Sequence, residues 1–150
     1  MHFLVIMPII RKSIAIRAPV DRVFEYVGDP RNLLEIWPSL VAVSNIESHP
    51  TGTSFDWDYQ LMGLRIHGHT DPVEQVRYAR QVTHSATGIP NTFRWFYSSR
   101  GDETDVTLEV EYEVPVLGRL ASGIVGRVNE REAYILLANL KRRMEADAAR

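Results

Sequence analysis

The hydrophobic pattern changes period along the chain. Residues 9–18 alternate, with Ile14 and Ile16 on one side and Ser13, Ala15 and Arg17 on the other, as in a half-buried strand. Pro19 stops that pairing and suits the first turn of a helix, in which Val20, Val23, Phe24 and Val27 recur at helical spacing and Asp21 sits where the dipole favours an acid. Gly28 closes this helix. Asp29 and Pro30 then supply a cap and a first-turn proline for a second short helix, which carries Leu33, Leu34 and Ile36 up to Trp37-Pro38. From Ser39 the period becomes two. Strands are predicted over 40–47, 53–62, 64–73, 78–86, 92–99 and 104–114, separated by turn chemistry at 49–53, Gly63, 87–91 and 99–103, with a break near Asp71-Pro72. The cleanest alternation sets Val106, Leu108, Val110, Tyr112 and Val114 against Thr107, Glu109, Glu111 and Glu113. Phe55, Trp57, Tyr59 and Leu61 oppose Asp56, Asp58 and Gln60, and Phe93, Trp95 and Tyr97 oppose Arg94, Phe96 and Ser98.

Pro115 is expected to end the sheet, and residues 117–147 read as one long helix. Its apolar stripe runs through Leu117, Leu120, Ala121, Ile124, Val125, Val128, Ile135 and Leu136, with Leu140 and Met144 drifting off it. Consecutive hairpins make an antiparallel sheet with one inner face to cover, and only the long helix is able to cover it. The predicted class is α+β: a curved antiparallel sheet of about seven strands around a long C-terminal helix, with two short helices after the first strand.

Composition narrows the function without choosing it. The 150 residues fit one domain, read here as 9–150 after an N-terminal tail at 1–8. A hydrophobic share of 45% with 24% charged residues is that of a globular protein, and a net charge of −2 offers no footprint for nucleic acid. There is no cysteine, so thiolate chemistry and disulfides are excluded. The apolar start MHFLVIMP lacks the basic region and cleavage site of a signal peptide, and no run approaches the ~18 apolar residues of a membrane span. A cytoplasmic protein is expected, monomeric or homodimeric, with Phe3 to Ile6 available to pair with a second chain or to cover a pocket mouth.

Three stretches carry a resemblance: PVDRVFEYVGDPRNLLEIWP at 19–38, GTSFDWDYQLMGLRIHG at 52–68 and YILLANLKRRME at 134–145. In order and spacing they resemble the START-related superfamily with the helix-grip fold, and its bacterial polyketide cyclase/dehydrase-like branch fits best, over roughly residues 12–146. The resemblance implies a ligand pocket between sheet and helix, filled in various members by lipids, sterols, polyketides or aromatic metabolites. A minority of members are enzymes, and no universal catalytic motif exists to carry over.

The residues themselves suggest who would line such a pocket. Trp37, Phe55, Trp57, Tyr59, Phe93, Trp95 and Tyr97 are the aromatic candidates, and Ile124, Val128, Glu132 and Ile135 those of the helix. The alternative for the aromatics is that they simply fill the core. Glu132 and Asn139 interrupt the apolar stripe. A buried carboxylate is costly unless paired, so Glu132 is a ligand acceptor or general base, one half of a structural pair with Arg94 or Arg131, or a carboxylate exposed at an open pocket mouth. Asn139 reads as a packing or capping amide. His67 and His69 share one strand face, which is the spacing of a chelate, but their face reads as solvent and a third ligand from His84 is only one option; no metal is predicted. Leu64 and Ile66, on the opposite face, read as core. Arg94 and the acidic set Asp56, Asp58, Glu109, Glu111 and Glu113 read as a solvated outer sheet face. Gly118, Gly123 and Gly126 weaken the start of the long helix.

Two functions follow. The first is a binding module for a small hydrophobic molecule, without cofactor. The second is a cofactor-independent cyclase, aromatase or dehydratase, for which Glu132, Tyr59, Tyr97 and His84 are the proton-transfer candidates. A mouth is expected near the two short helices, the Gly63 turn and the start of the long helix. A third reading, a collapsed domain with no void, holds if the aromatics pack on one another.

Overall fold

A computed structural model describes residues 5–6, 9–115 and 119–148, with side chains described over 9–113 and 129–147. Chain order is β1 (Val5–Ile6), β2 (Ile9–Ile16), α1 (Val20–Gly28), α2 (Pro30–Ile36), β3 (Leu40–His49), β4 (Gly52–Leu61), β5 (Leu64–Val76), β6 (Arg80–Ser85), β7 (Asn91–Arg100), β8 (Glu103–Tyr112), β9 (Val114–Pro115) and α3 (Arg119–Ala148). Strands β2 to β8 form one antiparallel sheet in the order β2-β8-β7-β6-β5-β4-β3, so hairpins build it from β3 onward and β2 returns to close the far edge against β8. The fold is the helix-grip arrangement expected from the pattern. No helix among the described residues is long and apolar enough to cross a membrane.

Local chemistry accounts for the turns. The Asp29 carboxylate accepts from the Arg31 amide at 3.1 Å, and Pro30 occupies the first turn of α2, where it has no amide hydrogen to leave unpaired. At the other end of α2, Asn139 Nδ2 donates to the Ile36 carbonyl at 2.9 Å, the capping role expected for that amide. Tight turns at Gly63 and Gly101 take φ of +83° and +62°, a region open to glycine.

The inner face of the sheet and α3 share one core. Ile16, Val23, Ile36, Val106, Leu108, Leu136 and Leu140 are almost wholly excluded from water. Three expectations are corrected. Leu140 and Met144, expected to drift off the helix stripe, are core, with Ala133, Leu136 and Leu137. The first half of the helix set the phase of the expected stripe, whereas the second half packs against β2 and α2 and buries a different side. Leu64, expected in the core, is 69% exposed, because it follows the Met62-Gly63 turn at the tip of the β4–β5 hairpin. Val5–Ile6, expected in a tail, pair antiparallel with Val114–Pro115 of the same chain, so Pro115 ends a short second ladder rather than the main sheet.

The outer face is laced with charge, as its alternation implies. Arg94 reaches Glu109 and Glu111 at 3.2 Å each. His67 Nδ1 lies 2.6 Å from Asp58, and His69 bridges Asp56 at 2.6 Å and Asp71 at 3.0 Å. Hydrogen bonds to these two carboxylates hold the His69 pKa above its ordinary value. Both histidines are thus engaged by aspartates on the solvent side.

Candidate functional site

Between the sheet and α3 lies a cavity of about 140 Å³. Its walls follow from the register. Trp57 of β4 and Trp95 of β7 occupy inner positions of the curved sheet, and Trp37 closes α2 and turns its ring toward them. All three tryptophans of the chain therefore line one space. Phe55, Tyr59 and Phe93 join them, while Asn129, Glu132, Ala133 and Leu136 of α3 form the roof. The rings touch without filling the space: Trp37 meets Tyr59 edge-on at 5.7 Å between centroids and Phe93 at 5.1 Å.

One end of the cavity is polar. Ser39 Oγ donates to Glu132 Oε1 at 2.7 Å. The other carboxylate oxygen, Glu132 Oε2, is buried with no hydrogen-bond partner; Trp37 Nε1 is also buried and makes no well-formed hydrogen bond, although its N–H lies close enough to the Tyr59 hydroxyl to favour the ionised phenol. Tyr59 stands beside them. Burial first, and then the negative charge of Glu132, push its phenol up to about 12, against the opposite pull of Ser39 and Trp37. The phenol is therefore neutral at neutral pH. Arg94 and Arg131, the expected partners of Glu132, do not pair with it: Arg94 belongs to the outer face, and Ser39 takes the role instead.

This arrangement makes a pH prediction. A folded-state phenol pKa of about 12 against 10 unfolded favours the neutral form in the fold. Its stability contribution is intact below pH 10 and is lost as pH rises through the folded value, a loss of roughly 2–3 kcal/mol. Stability measured by urea titration between pH 9 and 12 should fall less steeply in Tyr59→Phe than in the parent. Equal slopes would mean that Tyr59 ionises freely.

Several expected site residues lie elsewhere. Tyr97 is deeply buried outside the lining, where its hydroxyl donates to Gln81 Oε1 at 2.5 Å and Gln81 Nε2 donates to the Phe24 carbonyl at 3.2 Å. Burial drives its pKa well above the ordinary value. His84 is exposed on the outer face, 3.0 Å from Thr92 Oγ1, because it alternates with the inner Gln81, Thr83 and Ser85. Ile135 is only half-buried and absent from the lining; a helix that presents Glu132, Ala133 and Leu136 to the cavity turns it aside. Ile124, Val128 and the glycines at 118, 123 and 126 lie outside the residues whose side chains are described. The Gly63 turn takes no part in the lining. The 51–53 turn and residues 72, 74 and 75 of β5 do, together with Val27, Gly28, Pro30 and Leu33 of the short helices. Leu108, Val110 and Tyr112 also line the space. Their alternation in sequence already marks them as inward, but nothing there separates a cavity wall from solid core.

A model of the family described as "Polyketide cyclase / dehydrase and lipid transport" matches residues 7–145. No curated protein sequence matches the chain. Among solved structures, the chain is similar to the protein TTHA0849 from Thermus thermophilus, with 23% identity, a TM-score of 0.82, and coverage of 93% of this chain and 99% of that one. It is also similar to the Zhui aromatase/cyclase from a Streptomyces species, with 13% identity, a TM-score of 0.79 and coverage of 93% and 94%. A START superfamily protein from Mycobacterium smegmatis has 17% identity, a TM-score of 0.74 and coverage of 92% and 97%. At these identities the three structures share the fold.

Proposed function

Since the chain belongs to the polyketide cyclase/dehydrase and lipid transport family, we propose that it binds a compact, largely apolar molecule in the space between sheet and α3. The observation that carries this reading is a void walled by all three tryptophans, Phe55 and Phe93 and left unfilled by them. A well-packed domain of this size has no use for such a void, since each empty lining atom forfeits contacts. An apolar cavity of about 150 Å³ is known to take up a benzene-sized molecule, so a space of about 140 Å³ suits a ring system better than an extended acyl chain. Desolvation would drive binding at about 25 cal/mol per Å² of apolar surface, less the cost of ordering.

Native mass spectrometry of freshly purified protein, with organic extraction of any adduct, tests the reading together with equilibrium dialysis against naphthalene. A stoichiometric adduct or saturable naphthalene binding is expected. A clean apo mass combined with no binding of naphthalene or of the smaller benzene would sink it.

A second reading has one observation in its favour: Glu132 and Tyr59 place a proton acceptor and a neutral proton donor at the same end of the cavity. That pair suits cofactor-independent enolisation of a bound ketone, or loss of water from a bound β-hydroxyketone, with the acceptor taking the α-proton and the donor protonating the departing hydroxyl. On this reading Glu132→Gln and Tyr59→Phe abolish turnover while ligand still binds.

A further inference from the structure

We propose that the polar end of the cavity is a hydroxyl clamp, in which Glu132 Oε2 accepts the proton of a ligand hydroxyl and Trp37 Nε1 donates to the oxygen of the same group. The proposal rests on the cavity being a binding site and adds the chemistry of what it selects.

Among the described residues, three buried side-chain polar atoms lack a hydrogen-bond partner: Trp37 Nε1, Glu132 Oε2 and Arg80 Nε. Arg80 is otherwise engaged, through its terminal nitrogen, by Glu74 at 2.6 Å. The other two belong to residues that line the cavity, and they are of opposite type, a donor and an acceptor. Folded proteins rarely leave such atoms unpaired, because each costs its full desolvation. The two side chains also share neighbours. Ser39, two residues after Trp37, hydrogen-bonds to Glu132, and the Trp37 ring meets Tyr59 edge-on. Tyr59 feels the Glu132 charge.

What completes a lone donor beside a lone acceptor is decided by valence. A carbonyl oxygen would satisfy Trp37 and leave Glu132 bare. An ammonium group would do the reverse. A carboxylate would meet Glu132 with like charge in a poorly screened site. A hydroxyl has one proton to give and lone pairs to receive, so it completes both, as a primary amide or a water molecule also does. The clamp therefore selects a hydroxyl on a neutral ring and rejects the acid on the same ring.

Equilibrium dialysis of the full chain at pH 7 against naphthalene, 2-naphthol and 2-naphthoate tests this. 2-Naphthol is expected to bind at least about tenfold more tightly than naphthalene, the worth of one hydrogen bond to a charged group, with 2-naphthoate the weakest of the three. Trp37→Phe should shrink the naphthol preference severalfold while naphthalene affinity changes little. Glu132→Gln should remove both the naphthol preference and the penalty against naphthoate. Each variant's fold is checked by circular dichroism, and the comparison among three probes on the parent chain holds even if a variant fails to fold. Equal affinity for naphthol and naphthalene overturns the clamp and leaves the cavity reading standing. Binding of none of the three, nor of benzene, overturns both.

Discussion

Gly68→Ala should destabilise the protein by roughly 1–3 kcal/mol, the cost of forcing a methyl group into a packed interior. A Cβ at Gly68 would sit 2.1 Å from Trp57 Cζ2 and 2.5 Å from Cε2, far inside contact distance. The two residues are directly paired across β4 and β5, so the indole lies over the glycine instead of beside a neighbour's side chain. Gly88 supports it from the next connection, where a Cβ would come within 2.8 Å of Trp57 Cη2 and 2.6 Å of the His67 carbonyl, at a φ of +72°. The six-membered ring of the indole thus rests against two adjacent glycines. For a chain of this length, the midpoint of thermal unfolding should drop by about 2–4 °C per kcal/mol. Apolar probes should bind the alanine variant more weakly, since a displaced Trp57 occupies their space. A variant as stable as the parent would show that the ring does not rest on Gly68.

That pair also shows where the sequence stops being informative. Alternation, prolines and turn residues were enough to read every strand of the main sheet and all three helices to within a few residues, because each signal is local. The Asp29-Pro30 start of α2 is read directly from capping chemistry. Gly68 looks unremarkable in a strand, and its value appears only once Trp57 faces it across the ladder. The phase of α3 failed for a similar reason. Its apolar residues are spread around the helix, so the side that is buried is chosen by β2 and α2, not by the helix.

The site was legible in part. Inward alternation put Phe55, Trp57, Tyr59, Phe93 and Trp95 on one face, and a carboxylate interrupting an apolar stripe singled out Glu132. Tyr97 shares that face and spacing, yet its hydroxyl is held by Gln81, a partner that only the β6–β7 pairing brings within reach. Ser39 carries no sequence signal at all. It is a serine after a Trp-Pro turn until the fold sets it 2.7 Å from Glu132, 93 positions away. Long-range polar pairing is the information a single sequence holds least openly, and it is what shapes the polar end of this cavity.

Leu140→Ala should cost about 2–5 kcal/mol, the range for truncating a large aliphatic in a core that relaxes only partly. Leu140 is 0% exposed and belongs to the face of α3 formed with Ala133, Leu136, Leu137 and Met144. That face anchors the second half of the helix, where Lys141 Nζ also donates to the Ala15 carbonyl at 2.8 Å and Glu145 accepts from the Arg17 amide at 3.1 Å. Ile135→Ala, at a half-buried position of the same helix, should cost roughly 1 kcal/mol or less. The contrast separates two phases of one helix: the stripe read from its first half ranks Ile135 above Leu140, and the packed structure ranks them the other way. Urea midpoints at constant slope give the answer directly. Should Ile135→Ala prove the more damaging, α3 would be turned about its axis. Leu137, Leu140 and Met144 would then leave the core, while Glu132, three residues before Ile135, would stay on the cavity side.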